Sequence, residues 1–174
     1  MQKILVSACL MGSKVRYDGR DNALHHPTLE RWQQEGRLVP VCPEVLGGLG
    51  VPRAPAETLS RFPILIATQS GEDVTPEFLK GAETTLAIAQ THQVCCALMK
   101  ARSPSCGNRE IYNGQFNGTL MPAPGVAADE LIRHGIPVFN EEQMDTLIAF
   151  VEAQIEASES KTLPSSGSRT RQAA

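Results

Sequence analysis

Short apolar runs, separated by helical or glycine-rich segments, limit the folds that this sequence can adopt. Each run has the length of one buried strand, and the runs cover residues 3–8, 37–42, 62–69, 93–100 and 136–140. Such alternation predicts parallel strands joined by crossover helices, since both faces of a parallel sheet must be covered. We therefore predict an α/β fold: a single three-layer domain with a mostly parallel sheet and helices on both faces, of Rossmann-like or flavodoxin-like type.

Helix start and stop signals occur in four segments that lie between the apolar runs or after the last of them. The predicted helices cover residues 28–36, 73–92, 126–134 and 140–155. In the second of them Thr75 is the predicted N-cap and Pro76 takes the first helical position. The last one opens on Asn140 with Gln143 three residues later, which is a capping-box pattern.

Length and charge narrow the classes of protein to consider. We assign residues 1–157 to one domain and residues 158–174, which are nearly free of apolar side chains, to a polar, flexible tail. A formal net charge of -3 argues against a nucleic-acid polymer as partner. No apolar stretch approaches the roughly 20 residues of a membrane helix, so we predict a cytoplasmic protein with no membrane partner, either a monomer or a homodimer.

Three of the five cysteines stand at predicted strand ends. Cys9, Cys42 and Cys106 each follow an apolar run and adjoin residues that favour a loop or turn. Because the carboxyl ends of parallel strands meet at one edge of a sheet, these thiols can converge there. Cys95 and Cys96 fall inside a strand instead, and we predict that they pack in the core on opposite faces.

The spacing of these cysteines excludes some metal and redox chemistry. No C-x-x-C pair is present, so a thioredoxin-type motif and a zinc ribbon are poorly supported, and the four histidines form no i,i+4 pair. Three thiolates with no obvious fourth ligand suggest an iron–sulfur cluster with one iron left open. The residues alone do not separate this site from a three-cysteine zinc site.

Three motifs resemble those of a bacterial family associated with thiouracil desulfidase activity. They are SACLMGSKVRYDG, VCPEVLGGLGVPR and SPSCG, in this order, within residues 3–151. The resemblance implies that Cys9, Cys42 and Cys106 hold a [4Fe-4S] cluster in which one iron is not ligated by protein. It also implies a small thiolated nucleobase or nucleotide as substrate. Thiouracil would be hydrolysed to uracil, and 4-thiouridine monophosphate to uridine monophosphate, with release of hydrogen sulfide and no change of redox state.

The neighbours of these cysteines supply candidate catalytic and binding groups. Glu44 is the candidate base that takes a proton from water, and Ser103 is a second catalytic candidate that orients the water or hydrogen-bonds the heterocycle. One or two of the arginines in the motif loops are candidate ligands of a nucleotide phosphate. The predicted substrate contacts are Arg16, Tyr17, Asp18, Gly19, Arg53 and Ser105.

A second class of function fits the same three thiols. A three-cysteine metal-binding module, acting as a zinc hydrolase or in metal storage or sensing, would use them without desulfidase turnover. Glu44 separates an enzyme from a storage site, because a storage site does not require a base.

Overall fold

The computed structural model describes residues 1–162 of the chain. Its eight strands are β1 (Ile4–Ser7), β2 (Leu38–Val41), β3 (Ala56–Arg61), β4 (Ile64–Thr68), β5 (Cys96–Leu98), β6 (Glu110–Tyr112), β7 (Leu120–Pro122) and β8 (Val138–Phe139). Its five α-helices are α1 (Pro27–Gln34), α2 (Pro43–Leu46), α3 (Thr75–Thr91), α4 (Val126–Arg133) and α5 (Met144–Thr162). No helix within these residues is long and apolar enough to cross a membrane.

Four parallel strands form the central sheet, in the order β2-β1-β5-β8. Helices cover both of its faces, and this confirms the predicted three-layer α/β fold. One apolar core lies between the sheet and helices α1 and α5, and a second lies between the sheet and helices α3 and α4. The strand order reverses at β1, which opens a crevice at the carboxyl ends of β1 and its neighbours, where α/β proteins bind ligands.

One strand that the sequence pattern predicts for the parallel sheet lies in a different sheet. The run at residues 62–69 forms β4, which pairs antiparallel with β3 in a separate two-stranded sheet. Only Phe62 and Pro63 connect the two strands, and a connection this short permits antiparallel pairing alone. A second antiparallel pair, β6 with β7, lies in the segment between Cys106 and α4. The sequence pattern predicted neither β3 nor this second pair.

The helix ends agree with the predicted signals at one site and differ at two. Asn140 and Gln143 form the predicted capping box, on a 3₁₀ turn that leads into α5. Thr75 is not an N-cap: its hydroxyl bonds the backbone of Ile66, and α3 begins at Thr75 itself. Helix α5 continues through residues 158–162 of the predicted tail. The remainder of that tail, 163–174, lies outside the described residues.

The adjacent cysteines Cys95 and Cys96 do not point to opposite faces. Their sulfur atoms are 3.7 Å apart, and both side chains pack against the core beneath α1 and α5. Cys95 precedes the first residue of β5, where the side-chain alternation of the strand has not begun. Cys96 is completely buried, as predicted for a core residue. The pair stands at the amino end of β5, at the opposite end of the strand from Cys106.

Helix α2 rests directly on α3 through two glycines, and this contact positions the residues that follow Cys42. A Cβ atom at Gly81 would lie 1.9 Å from the carbonyl oxygen of Pro43, and one at Gly47 would lie 1.9 Å from that of Glu77. No side chain fits in either gap. The two glycines therefore set the distance between α3 and the Pro43 peptide.

The Gly81→Ala variant should be destabilised because its methyl group cannot be placed without moving α2. We expect the free energy of unfolding to fall by about 1–3 kcal/mol, the usual cost of overpacking. Denaturant unfolding followed by circular dichroism measures this quantity. Gly50→Ala is the matched control, since a Cβ there meets open space. Equal stability of the two variants would contradict the close contact between α2 and α3.

Candidate active site

One cavity of about 620 Å³ opens at the carboxyl edge of the central sheet. Cys9 follows β1, Cys42 follows β2, and Cys106 lies in the loop after β5; all three line this cavity. Strands that are far apart in sequence thus bring the three thiols to one place, as their strand-end positions predict. Cys95 and Cys96 do not line it.

Local structure holds each of the three cysteines in a different way. Cys9 lies in a 3₁₀ turn that ends at Gly12, where φ is 88° and a glycine is favoured. Cys42 is the N-cap residue of α2, followed by Pro43 at the first helical position. The backbone N–H of Cys106 donates to the hydroxyl of Ser103 at 3.1 Å.

The three thiols influence one another electrostatically. Burial raises the pKa of Cys106 to about 12, and the negative charge of Cys9 contributes to this rise. Burial also raises the pKa of Cys9 and that of Cys42, and the charge of Cys42 further raises the pKa of Cys9. Burial and mutual repulsion therefore disfavour three thiolates in this cavity, and a bound cationic group would favour them.

The arrangement of these donors fits a polynuclear group better than a single ion. A tetrahedral zinc with Zn–S bonds of about 2.3 Å holds its sulfur ligands only about 3.8 Å apart. Within residues 1–162 no three Cys, His, Asp or Glu side chains are grouped closely enough for one metal ion. An iron–sulfur cluster binds each thiolate to a different iron and so accepts ligands that are farther apart. Three soft thiolates around one cavity match that donor set.

Glu44 is fixed on the cavity wall by one hydrogen bond to each carboxylate oxygen. Its Oε2 accepts from the Ser105 hydroxyl at 2.8 Å, and its Oε1 accepts from Nε of Arg53 at 3.2 Å. Arg53 is itself fastened, because its two terminal nitrogens donate to the carbonyl oxygens of Val15 and Gly50. Glu44 and Arg53 are only 16% and 10% exposed, so this ion pair is shielded from solvent.

The two serines of SPSCG have different partners. Ser105 is buried and contacts Glu44, and its oxygen lies 3.5 Å from Sγ of Cys106. The Ser103 hydroxyl accepts the N–H groups of Ser105 and Cys106 and lies 3.0 Å from the Ser105 hydroxyl. Since a carboxylate only accepts, the Ser105 proton goes to Glu44 and Ser103 must donate to Ser105. The result is a hydrogen-bonded chain from Ser103 through Ser105 to Glu44.

The predicted substrate contacts in the VRYDG segment lie at the cavity only in part. Arg16 and Tyr17 line it, whereas Asp18 and Gly19 do not. Asp18 pairs with Arg16 at 3.0 Å, and Gly19 closes a turn with a φ of 76° by donating its N–H to the carbonyl of Arg16. These two residues shape the loop that presents Arg16 and Tyr17.

Every cationic side chain that lines the cavity is already paired with a carboxylate. The pairs within the described residues are Arg16–Asp18, Arg53–Glu44, Lys100–Glu141 and Arg102 with both Glu110 and Glu142. A phosphate bound by Arg53, as predicted, would compete with the bonds of this side chain to Glu44 and to two backbone carbonyls. Each of the four lining cations therefore already has at least one carboxylate partner.

The outer wall of the cavity contains residues that the sequence pattern did not single out. They come from β3, the turn that follows β4 and the β6–β7 hairpin, and they include Glu57, Gln69, Tyr112 and Phe116. A signal for the hairpin is present, because Asn-Gly pairs favour tight turns and two of them stand at residues 113–114 and 117–118. No pattern in the sequence indicates that this hairpin closes the cavity.

Comparison with known proteins gives three concordant results. A family model described as 2-thiouracil desulfurase matches residues 4–143. The uncharacterized protein YbbK of Bacillus subtilis (strain 168) is 38% identical over 152 residues, which are 83% of this chain and 99% of that protein. A solved structure of the [4Fe-4S]-dependent thiouracil desulfidase TudS superposes with a TM-score of 0.85 at 44% identity, covering 88% of this chain and 99% of the other.

Proposed function

This chain belongs to the 2-thiouracil desulfurase family, and we propose that it hydrolyses the thiocarbonyl group of a thiolated pyrimidine to the carbonyl with release of hydrogen sulfide. It is a [4Fe-4S]-dependent desulfidase. The observation that carries this proposal is the meeting of three strand-end thiols and one hydrogen-bonded carboxylate in a single cavity. Water supplies the oxygen of the product and the sulfur leaves as sulfide, so no external reductant is required.

Cys9, Cys42 and Cys106 would hold the cluster. The only other cysteines of the chain, Cys95 and Cys96, stand at the far end of β5, so one iron of a [4Fe-4S] group would have no cysteine ligand. When bound, such a cluster supplies a Lewis-acidic iron for the soft thiocarbonyl sulfur. The zinc and storage alternatives have no comparable support, because the family model and the similar solved structure both name a thiouracil desulfurase or desulfidase.

Glu44 would take the proton of the attacking water. Its carboxylate stands on the cavity wall, held from opposite sides by Arg53 and Ser105. The bond from Arg53 fixes its direction, and the Ser103–Ser105 chain offers a short route along which a proton can move. Ser103 therefore acts on the reaction through Ser105, while Glu44 takes the proton from water and can return it to the leaving sulfur.

The paired cations of the cavity favour an uncharged substrate. A phosphate group is bound by cations and N–H donors, and here each lining cation is already neutralised by a carboxylate. The free base, such as 2- or 4-thiouracil, needs no such cation. We therefore place the free base ahead of 4-thiouridine monophosphate as substrate.

Anaerobic reconstitution with iron and sulfide tests the proposal. We expect about four irons per chain and release of hydrosulfide from thiouracil without added reductant. We also expect kcat/KM for 4-thiouracil to exceed that for 4-thiouridine monophosphate. A protein that binds one zinc and releases no sulfide would contradict the function, whereas a preference for the monophosphate would contradict only the choice of substrate.

A further inference from the structure

The loop between β6 and β7 brings an aromatic ring to the wall of the cavity. Phe116 and Tyr112 both line the cavity, together with Gly118 of the same loop. Phe116 is partly buried, yet it packs into none of the three apolar cores of the described residues. The surroundings of its side chain are therefore those of a cavity wall and not of the hydrophobic core.

The backbone of Phe116 is in a conformation that a phenylalanine seldom adopts. Its φ is 52°, in the left-handed region that favours glycine and, to a lesser degree, asparagine. The neighbouring residues Gly114 and Gly118 have φ values of 89° and 77°. A glycine at position 116 would relieve this strain. The backbone conformation therefore does not explain why a phenylalanine stands there.

Two contacts with β3 hold this strained loop in place. Oε1 of Glu57 accepts the N–H groups of Gly114 at 3.0 Å and of Phe116 at 3.2 Å. Gly114 also lies so close to β3 that a Cβ atom there would be 2.7 Å from the carbonyl oxygen of Thr58. The carboxylate of Glu57 thus orients the Phe116 peptide itself.

We propose that Phe116 is a substrate-binding residue whose ring stacks on the flat pyrimidine of the substrate, and that Glu57 is the positioning residue that holds it there. This inference rests on the proposed function, because it takes a planar heteroaromatic base as the ligand. Base–aromatic stacking is favourable and tolerates differences among bases. The strain at Phe116 is then retained because the ring contributes to substrate binding.

Phe116→Gly separates a binding role from a structural one, since glycine removes the ring and relieves the backbone at the same time. In reconstituted protein that also carries Glu44→Gln, so that 2-thiouracil is bound but not appreciably hydrolysed, we expect the Kd for 2-thiouracil, measured by calorimetry, to rise about tenfold or more. The melting temperature should be unchanged or higher. Phe116→Tyr should retain the wild-type Kd, and Phe62→Ala, at the exposed tip of the other hairpin, is the matched control. A lower melting temperature with an unchanged Kd would overturn the proposal.

The positioning role of Glu57 is tested by asking whether its effect on the Kd for 2-thiouracil depends on Phe116. Glu57→Ala should raise the Kd for 2-thiouracil, and Glu57→Gln, which keeps an acceptor oxygen, should restore most of the affinity. In the Glu57→Ala/Phe116→Gly double variant we expect no further loss, because both changes remove the same contact. Additive losses would overturn the positioning role. Binding of 2-thiouracil without sulfide release by the wild type would refute the proposed function alone, since the Kd comparisons do not depend on turnover.

Discussion

Glu44→Gln is expected to lower kcat for sulfide release by about 10²- to 10⁴-fold, the usual contribution of a general acid–base group. The amide has nearly the same shape and still accepts a hydrogen bond, but it cannot take a proton from water. Because the three cysteines are untouched, the iron content should equal that of the wild type. Sulfide assay and iron determination on the same preparation measure both quantities.

Glu130→Gln is the matched control for this substitution. Glu130 is also a partly exposed glutamate paired with an arginine, here Arg133 at 2.6 Å, but it lies on α4 and does not line the cavity. The Glu130→Gln variant should have the activity of the wild type. Full activity in Glu44→Gln would show that another group accepts the proton, and loss of iron from it would indicate a structural role for the carboxylate.

Alanine at Cys9, Cys42 or Cys106 should abolish both the iron–sulfur spectrum and the activity. Each of these thiols would bind a different iron, so removal of any one leaves a cluster with only two cysteine ligands. We expect less than about half of the wild-type iron after anaerobic reconstitution, and no detectable sulfide release. Absorption spectra and iron counts on the three single variants give the answer.

Cys95→Ala is the control for these three variants. Its sulfur contacts that of Cys96 at the amino end of β5, and it is the most accessible thiol away from the cavity. This variant should keep the wild-type iron content and activity. A loss of iron from Cys95→Ala, or a full cluster in Cys106→Ala, would contradict the ligand set.

The strands and cysteines of the central sheet could be predicted because their signals are local. Apolar runs that end at Cys9, Cys42 and the SPSCG loop indicate buried strands, and parallel topology then brings their carboxyl ends together. The capping box at Asn140 is equally local, since its partners are three residues apart. In these regions the pattern of the sequence and the packing of the fold agree.

The outer wall of the site could not be predicted because it depends on contacts between distant segments. The bond from Ser105 to Glu44 spans 61 residues, and the bond from Gly114 to Glu57 spans 57. Nothing in the local sequence marks either pairing. A run such as ILIAT indicates a strand but not its partner, which is why β4 was assigned to the wrong sheet.

The source of the product's oxygen tests the central claim most directly. Anaerobically reconstituted protein is given 2-thiouracil in H₂¹⁸O, without reductant, and the uracil is analysed by mass spectrometry beside a sulfide assay. The hydrolytic account predicts one ¹⁸O atom in each uracil and one hydrosulfide for each uracil formed. Unlabelled product, or turnover that requires added electrons, would contradict it.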